Sequence, residues 1–381
     1  MTKKYDLVVY GASGFTGQLI CEYLYNHKDT LNLNWAIAGR DSAKLKSISD
    51  KFSNNQKKID VICADSFDSD SLNLMTRDAK LVITTVGPYA IYGEKLVASC
   101  IENKAHYLDL TGEPHFVNQI KTKYKQKALD NDVMIVHSCG FESIPPDVGV
   151  YTALNKLNEP NSDTTYFFES NGTISGGTWA SFINSLSSPQ PIGGKSHSGN
   201  KKRKKIYFEK QFNRWALFFP VIDKLIVMKT AKRFKNIYGD KFLFNEYMLF
   251  KSFSKLAFIL IGIICVGIIS KNQRIKKWLL SLIPSGSGPS KGRRKGNWFS
   301  AHILSKGNRQ SVLTTIKGGD PGYGETSKFI SELALCILVD RDKLLNAKGL
   351  LSPVEVAGNL LVDRLSNSGI SINTSVIDPK N

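Results

Sequence analysis

The feature that most restricts this chain is a glycine-rich turn set between a short apolar strand and an amphipathic helix. Tyr5-Asp6-Leu7-Val8-Val9-Tyr10 reads as a buried strand, and Gly11-Ala12-Ser13-Gly14-Phe15-Thr16-Gly17 follows it directly. Beyond the turn, Phe15, Leu19, Ile20, Tyr23 and Leu24 recur at helical spacing and lay one apolar stripe against a sheet. Gly11 permits the tight turn, Gly14 lets the backbone approach a ligand closely, and Gly17 lets the helix pack near the strand. The start of the helix then offers free N–H groups to phosphates. The spacing is GxxGxxG rather than GxGxxG, and it is the strand before and the helix after that give it meaning. We expect Gly11, Ala12, Ser13, Gly14, Phe15, Thr16 and Gly17 to cradle the pyrophosphate of a dinucleotide.

The alternation continues. Trp35-Ala36-Ile37-Ala38 is a second strand and ends in Gly39-Arg40. NAD enzymes carry an acid at this end for the ribose 2′-hydroxyl; an arginine fork instead pairs with a 2′-phosphate. Arg40, assisted by Lys44, therefore favours NADPH over NADH, the other reading being a surface Arg beside a helix cap at Asp41 or Ser42. Further strands are expected at Ile59–Cys63, Leu81–Thr85, His106–Leu108 and Val133–Val136, with helices at Gly93–Asn103 and Glu113–Asn131. Strands alternating with helices of this length make a parallel, doubly wound sheet that binds ligands at its carboxyl ends. Asp65 is expected beside the adenine, and Val86, Gly87, Pro88, Tyr89, Cys139 and Gly140 around the cofactor.

Hydride transfer needs a proton donor near the cofactor. Tyr89, Tyr92, His137, Cys139 and Glu142 stand near strand ends, and Tyr92 and His137 are the candidates for the acid, each with a packing role as its alternative. The six cysteines include no CxxC pair, so no metal site or disulfide framework is expected and a reducing compartment is the default. Met1 to Asp6 run straight into the first strand, which leaves no expected signal peptide.

Past Val136 the pattern changes. Ser143-Ile144-Pro145-Pro146-Asp147 opens a helix and is expected to be a hinge, and Ser175-Gly176-Gly177-Thr178 starts another helix that caps itself or admits a substrate. Lys195 to Arg309 carries 26 Lys and Arg against four acids, so the net charge of +18 resides there. Such a field attracts the phosphates of lipids or nucleic acids. Inside it, Leu256 to Ile269 is apolar without interruption, and Lys271, Arg274, Lys276, Lys277 and Trp278 follow. As a helix the run is about 21 Å long against a hydrocarbon core of about 30 Å. Spanning, lying on a membrane and burial as a core helix stay open, with attachment through Leu256–Ile283 favoured because charge and apolarity coincide. Lys201–Lys205 could touch nucleic-acid phosphates, yet no nucleic-acid module accompanies it. Ser285–Gly296 reads as a flexible loop. A strand at Ser311–Lys317 and helices at Glu325–Val339 and Val354–Leu365 close the chain.

Together GASGFTG (11–17), Ala38-Gly39-Arg40, VGPY (86–89) with Tyr92-Gly93-Glu94, DLTGE (109–113) and CGFESIP (139–145) resemble the saccharopine dehydrogenase-like oxidoreductases. That group includes the trans-acting enoyl reductases of complex lipid and glycolipid synthesis. The resemblance extends over nearly the whole chain, through Ser175–Thr178 and Gly318–Gly322. It implies nicotinamide chemistry and, for animal members, association with membranes or lipid droplets. It does not imply saccharopine as substrate, because no arginine-rich amino-acid-binding pattern is present. The expected architecture is α/β: a Rossmann doubly wound parallel sheet (1–144), a second α/β (α+β) domain (145–317), and a segment (318–381) returning to the first. The second domain carries the basic, apolar, membrane-associating insert at about 195–309. The expected function is NADPH-dependent reduction of a lipid or polyketide-like substrate at a membrane surface, on the cytoplasmic face or a lipid droplet. The alternative is a non-catalytic, lipid-associated dinucleotide-binding scaffold or sensor. A homo-oligomer is left open.

Overall fold

Parallel strands are covered on both faces, so their residues are apolar on both sides of the pleat. That is the character of β1 (Tyr5–Tyr10), β2 (Trp35–Gly39), β4 (Ala79–Thr84), β5 (His106–Asp109) and β6 (Met134–Val136), with β3 (Asp60–Cys63) more open. Between them run helices α1 (Phe15–Asn26), α2 (Ser42–Phe52), α3 (Ser69–Arg77), α4 (Tyr89–Glu102) and α5 (Pro114–Asp130). A seventh strand, β13 (Gly349–Leu351), adds parallel to β6 and gives the order β13-β6-β5-β4-β1-β2-β3. The order reverses at β1 and β4, which places the glycine turn at the topological switch point where such sheets bind ligands. This computed structural model describes residues 3–52, 58–172, 179, 183, 186, 204–219, 222–283, 288–345 and 347–377.

Two units emerge, one of Met1–Ile144 with Tyr323–Gly369, the other of Pro145–Gly322 with Ile370–Asn381. Helix α12 (Thr326–Val339) packs on α1 and on α13 (Pro353–Asn367) within the first unit. Arg364 pins this return: its guanidinium reaches Asp29 at 2.8 Å, Glu332 at 3.1 Å and Asp340 at 2.7 Å. Tyr23 donates to the same Glu332. Three carboxylates around one half-buried guanidinium satisfy charges that would be costly alone.

The second unit is a sheet of order β14-β12-β11-β7-β10-β9-β8. Its strands are β7 (Asp163–Ser170), β8 (Ile206–Glu209), β9 (Arg214–Phe218), β10 (Leu243–Phe250), β11 (Phe299–Lys306), β12 (Ser311–Gly318) and β14 (Ser371–Ile377). All pairs are antiparallel except β7 with β10. Helix α6 (Ile144–Leu157) comes so close to the sheet that a methyl on Gly149 would lie 2.5 Å from Ile303 Cδ1. Asp147 on α6 accepts from Thr230 on α7 (Asp223–Arg233), and a short helix α8 (Lys235–Tyr238) follows. One difference from expectation concerns residues 318–381. They do not return together: β14 zips antiparallel onto β12, from Ser311 opposite Ile377 to Lys317 opposite Ser371, and so joins the second unit.

The apolar run forms α9 (Phe253–Ile269), capped by Ser252, and α10 (Gln273–Leu282), capped by Asn272. Burial as a core helix is overturned. Only Leu256 of α9 is buried, while Phe258 is 78% exposed, Ile261 61%, Ile264 60% and Ile268 63%. Among the described residues no helix is long and apolar enough to cross a membrane. Ser285–Gly296 contains a short helix, α11 (Lys291–Lys295), in its described part. Ser175–Thr178 and Lys201–Arg203 lie outside the described residues.

His106 records how the first sheet tolerates a titratable group. Its Nδ1 accepts from Met134 N–H at 3.2 Å, and burial holds the imidazole down at about 4. The folded state therefore disfavours the charged ring. The stability this confers is complete above the ordinary histidine value and is lost as pH falls from about 6.5 towards 4, up to about 3 kcal/mol. Urea unfolding across this window should show that slope in the wild type and a shallower one in His106→Asn, whose amide oxygen can still accept from Met134. Equal slopes would refute the assignment.

Candidate functional site

At the β1–α1 turn the backbone has to reverse direction with no side chain in the way. Gly11 adopts φ +86°, and a methyl there would meet Thr85 Oγ1 and Val86 Cγ2 at 2.7 Å. Gly17 is tighter still, since its methyl would lie 2.3 Å from the Gly11 carbonyl oxygen. Gly14 N–H donates to that same oxygen at 2.9 Å. Gly14 is also the N-cap of α1 and supplies no side-chain cap, the kind of helix start at which phosphates bind. An uncapped helix start behind a cradle that a Cβ would fill fits a pyrophosphate. Ala12 is buried, Ser13, Gly14, Phe15 and Thr16 are partly open, and Phe15 meets Tyr323 edge to face at 5.1 Å.

Arg40 and Lys44 are both exposed beyond β2. Lys44 lies 3.4 Å from Asp41, so part of its charge is already answered, whereas Arg40 is the better placed group for a 2′-phosphate. Asp65 begins the loop after β3 and uses one carboxylate oxygen to accept Phe67 N–H at 2.8 Å.

The other sequence-nominated residues separate into wall and scaffold. Val86 is partly open, Gly87 is exposed, and Pro88 caps α4 without a side-chain hydrogen bond. The Glu113 carboxylate takes Tyr89 N–H and Ala90 N–H, both at 2.9 Å, so this helix start is already neutralised from α5. Tyr89 is buried, donates to Thr84 O at 3.2 Å and accepts Leu110 N–H at 3.2 Å; burial pushes its hydroxyl well up. It joins the ends of β4 and β5 instead of facing a ligand. Cys139 is fully buried with its thiol raised by burial, which makes it inert. Gly140 is needed for closeness: a methyl there would lie 2.7 Å from Glu142 Oε2 and 3.0 Å from Thr326 Cγ2.

His137 and Tyr92 are not brought together. His137 is 3% exposed; its Nδ1 lies 2.7 Å from Asp109, and its ring is edge-on to Tyr107 and Phe116. A group so enclosed cannot hand a proton to substrate without rearrangement, and the geometry makes it a pillar of the sheet. Tyr92 is half-buried and meets Phe67 edge to face at 5.3 Å, on the side of the loop after β3. Glu142 is exposed on this edge, although the atoms packed around it desolvate the carboxyl and raise it above its ordinary range. A raised carboxyl holds its proton to higher pH than an ordinary one, which favours a donor role. Glu142 is legible in sequence as an acid near a strand end, whereas Glu113 reads only as the start of a helix, and nothing in its spacing announces that it neutralises the start of α4. Among the described residues no cluster of His, Cys, Asp or Glu is placed to hold a metal ion.

Residues 7–136 match the family described as saccharopine dehydrogenase NADP binding domain. A Mycobacterium tuberculosis protein named as a trans-acting enoyl reductase is 29% identical over 98% of both chains. The lipid droplet localized protein of Caenorhabditis elegans is 29% identical over 97% of both, and the human saccharopine dehydrogenase-like oxidoreductase 27% over 97% of both. In structure, saccharopine dehydrogenase (L-Glu forming) from Saccharomyces cerevisiae superposes with a TM-score of 0.60 at 12% identity, covering 98% of this chain and all of that one. At that identity the likeness speaks for the fold.

Replacing Arg40 by Ala should weaken NADPH binding towards the NADH level, by about tenfold or more for a lost charged hydrogen bond, with NADH binding unchanged. Calorimetry with both nucleotides measures this. Equal losses for both would move the 2′-phosphate away from Arg40.

Proposed function

We propose that this saccharopine dehydrogenase-like, NADP-dependent oxidoreductase reduces a carbonyl or enoyl group of a lipid or polyketide-like substrate at a membrane or lipid-droplet surface. The observation that carries the lipid half is α9. More than half of its circumference is apolar and open to solvent, which an isolated soluble surface has no reason to keep. Its neighbour α10 exposes Trp278 and Leu282 among Arg274, Lys276 and Lys277, the mixture that suits an anionic interface. The names of the worm and mycobacterial relatives support the same reading.

Bound NADPH supplies the hydride. The chain's part is to seat the phosphates on the α1 start, to hold the 2′-phosphate at Arg40, and to keep a proton on the Glu142 carboxyl. Giving that proton to the substrate would leave Glu142 ionised until solvent reprotonates it. Tyr92 and His137 serve as supports in this scheme.

Two experiments test it. Purified protein given lipid extract in vesicles should consume NADPH, and Glu142→Gln should slow turnover by about 10²–10⁴-fold, the usual worth of a general acid, without altering NADPH affinity. No consumption with any lipid fraction would remove the substrate class. Separately, flotation with phosphatidylcholine vesicles, with and without phosphatidylserine, should recover the wild type, more strongly with phosphatidylserine. The Ile261→Lys/Ile264→Lys protein should bind about tenfold or more weakly. Undiminished binding by that variant would remove α9 from the interface.

A further inference from the structure

Phe67 is 60% exposed, in the loop between β3 and α3. A single exposed apolar side chain needs no explanation. This one differs in being held still. Its N–H donates to Asp65 Oδ1 at 2.8 Å, its carbonyl accepts from Lys95 Nζ at 2.7 Å, and its ring rests against the Tyr92 ring at 5.3 Å with planes 67° apart. Asp68 N–H closes the loop onto Asp65 O at 3.0 Å, and the Asp68 side chain caps α3. With 60% of its surface exposed, Phe67 keeps open aromatic surface beyond its contact with Tyr92.

The loop is fastened to the parts that hold the phosphates. Ala64 N–H donates to Gly39 O at 3.0 Å, the residue before Arg40. Ser66 Oγ and Tyr10 OH are 2.7 Å apart, and Tyr10 is the residue before Gly11. The ring therefore stands on the same carboxyl edge as the phosphate cradle and the 2′-phosphate candidate, one strand further out. A flat, uncharged, hydrogen-bond-poor face beside a phosphate site suits the purine end of a nucleotide.

We infer that the Phe67 ring, braced by Tyr92 and Lys95, is the platform on which the adenine of NADP stacks. This rests on NADP binding and is independent of the lipid substrate, so failure to find a lipid that is reduced leaves it standing. Tyr92, nominated by sequence as an acid, becomes the brace of that platform.

The test uses the full chain and two half-ligands. 2′,5′-ADP carries the adenine and the 2′-phosphate; reduced nicotinamide mononucleotide carries neither. Base stacking on an aromatic ring corresponds to about a tenfold change in affinity. Phe67→Ala should bind NADPH and 2′,5′-ADP about tenfold more weakly, with unchanged affinity for the mononucleotide and an unchanged melting temperature. Phe67→Trp should restore binding. Unaltered 2′,5′-ADP affinity in Phe67→Ala would overturn the inference, as would an equal loss for the mononucleotide, which would mean the ring acts through the fold. Absence of 2′,5′-ADP binding in the wild type would overturn it together with the cofactor site beneath it.

Discussion

One buried carboxylate, Asp109, organises the carboxyl edge of the first sheet. It is fully buried and collects Tyr107 OH at 3.0 Å, Thr111 N–H at 3.0 Å, Ser138 N–H at 2.9 Å and His137 Nδ1 at 2.7 Å. Its own carbonyl takes Cys139 N–H at 2.8 Å. A buried charge survives only when its oxygens are satisfied, and here the donors come from β5, the turn after it and the turn after β6. Without that hub the two turns have no common reference, and Gly140 and Glu142 lose their fixed position beside Thr326.

Much of the first unit could be read in advance. Strands covered on both faces betray themselves as apolar runs such as Leu81-Val82-Ile83, and Gly11 and Gly17 of the first turn are required by contacts that leave no room for a side chain. What escaped reading has physical reasons. β13 is three residues long, too short for any periodicity, and β14 alternates weakly because its strand lies largely open at a sheet edge. Polar residues near strand ends were harder. Tyr89 and His137 look like site residues in sequence, and they are consumed by buried hydrogen bonds that arise only once β4, β5 and β6 are assembled. Phe67 shows the converse: in sequence it is one aromatic in a loop, and only the fold reveals that it stays exposed while its backbone is held on both sides.

The second unit combines two opposite surface chemistries. Its sheet buries Phe167, Tyr247 and Leu304 in an ordinary core, whereas α9 leaves Phe258, Ile261, Ile264 and Ile268 outside. The difference follows from composition around the circumference. A helix apolar on all sides can bury one face against its sheet and must expose the rest, and here contact through Leu256 and the Trp215–Phe253 ring pair accounts for the covered side.

The discontinuity of the first unit has a consequence for how the chain comes into being. Its six leading strands are complete at Ile144, yet β13, which covers the outer edge of β6, arrives roughly 200 residues later, about 10–40 s of ribosomal elongation. During that interval β6 presents unpaired backbone groups, a template to which a neighbouring nascent chain can add a strand. The final fold hides this edge; the growing one cannot. Chaperone engagement of this chain should therefore begin after β6 emerges and end when β13 does, a timetable written by topology rather than by any binding motif.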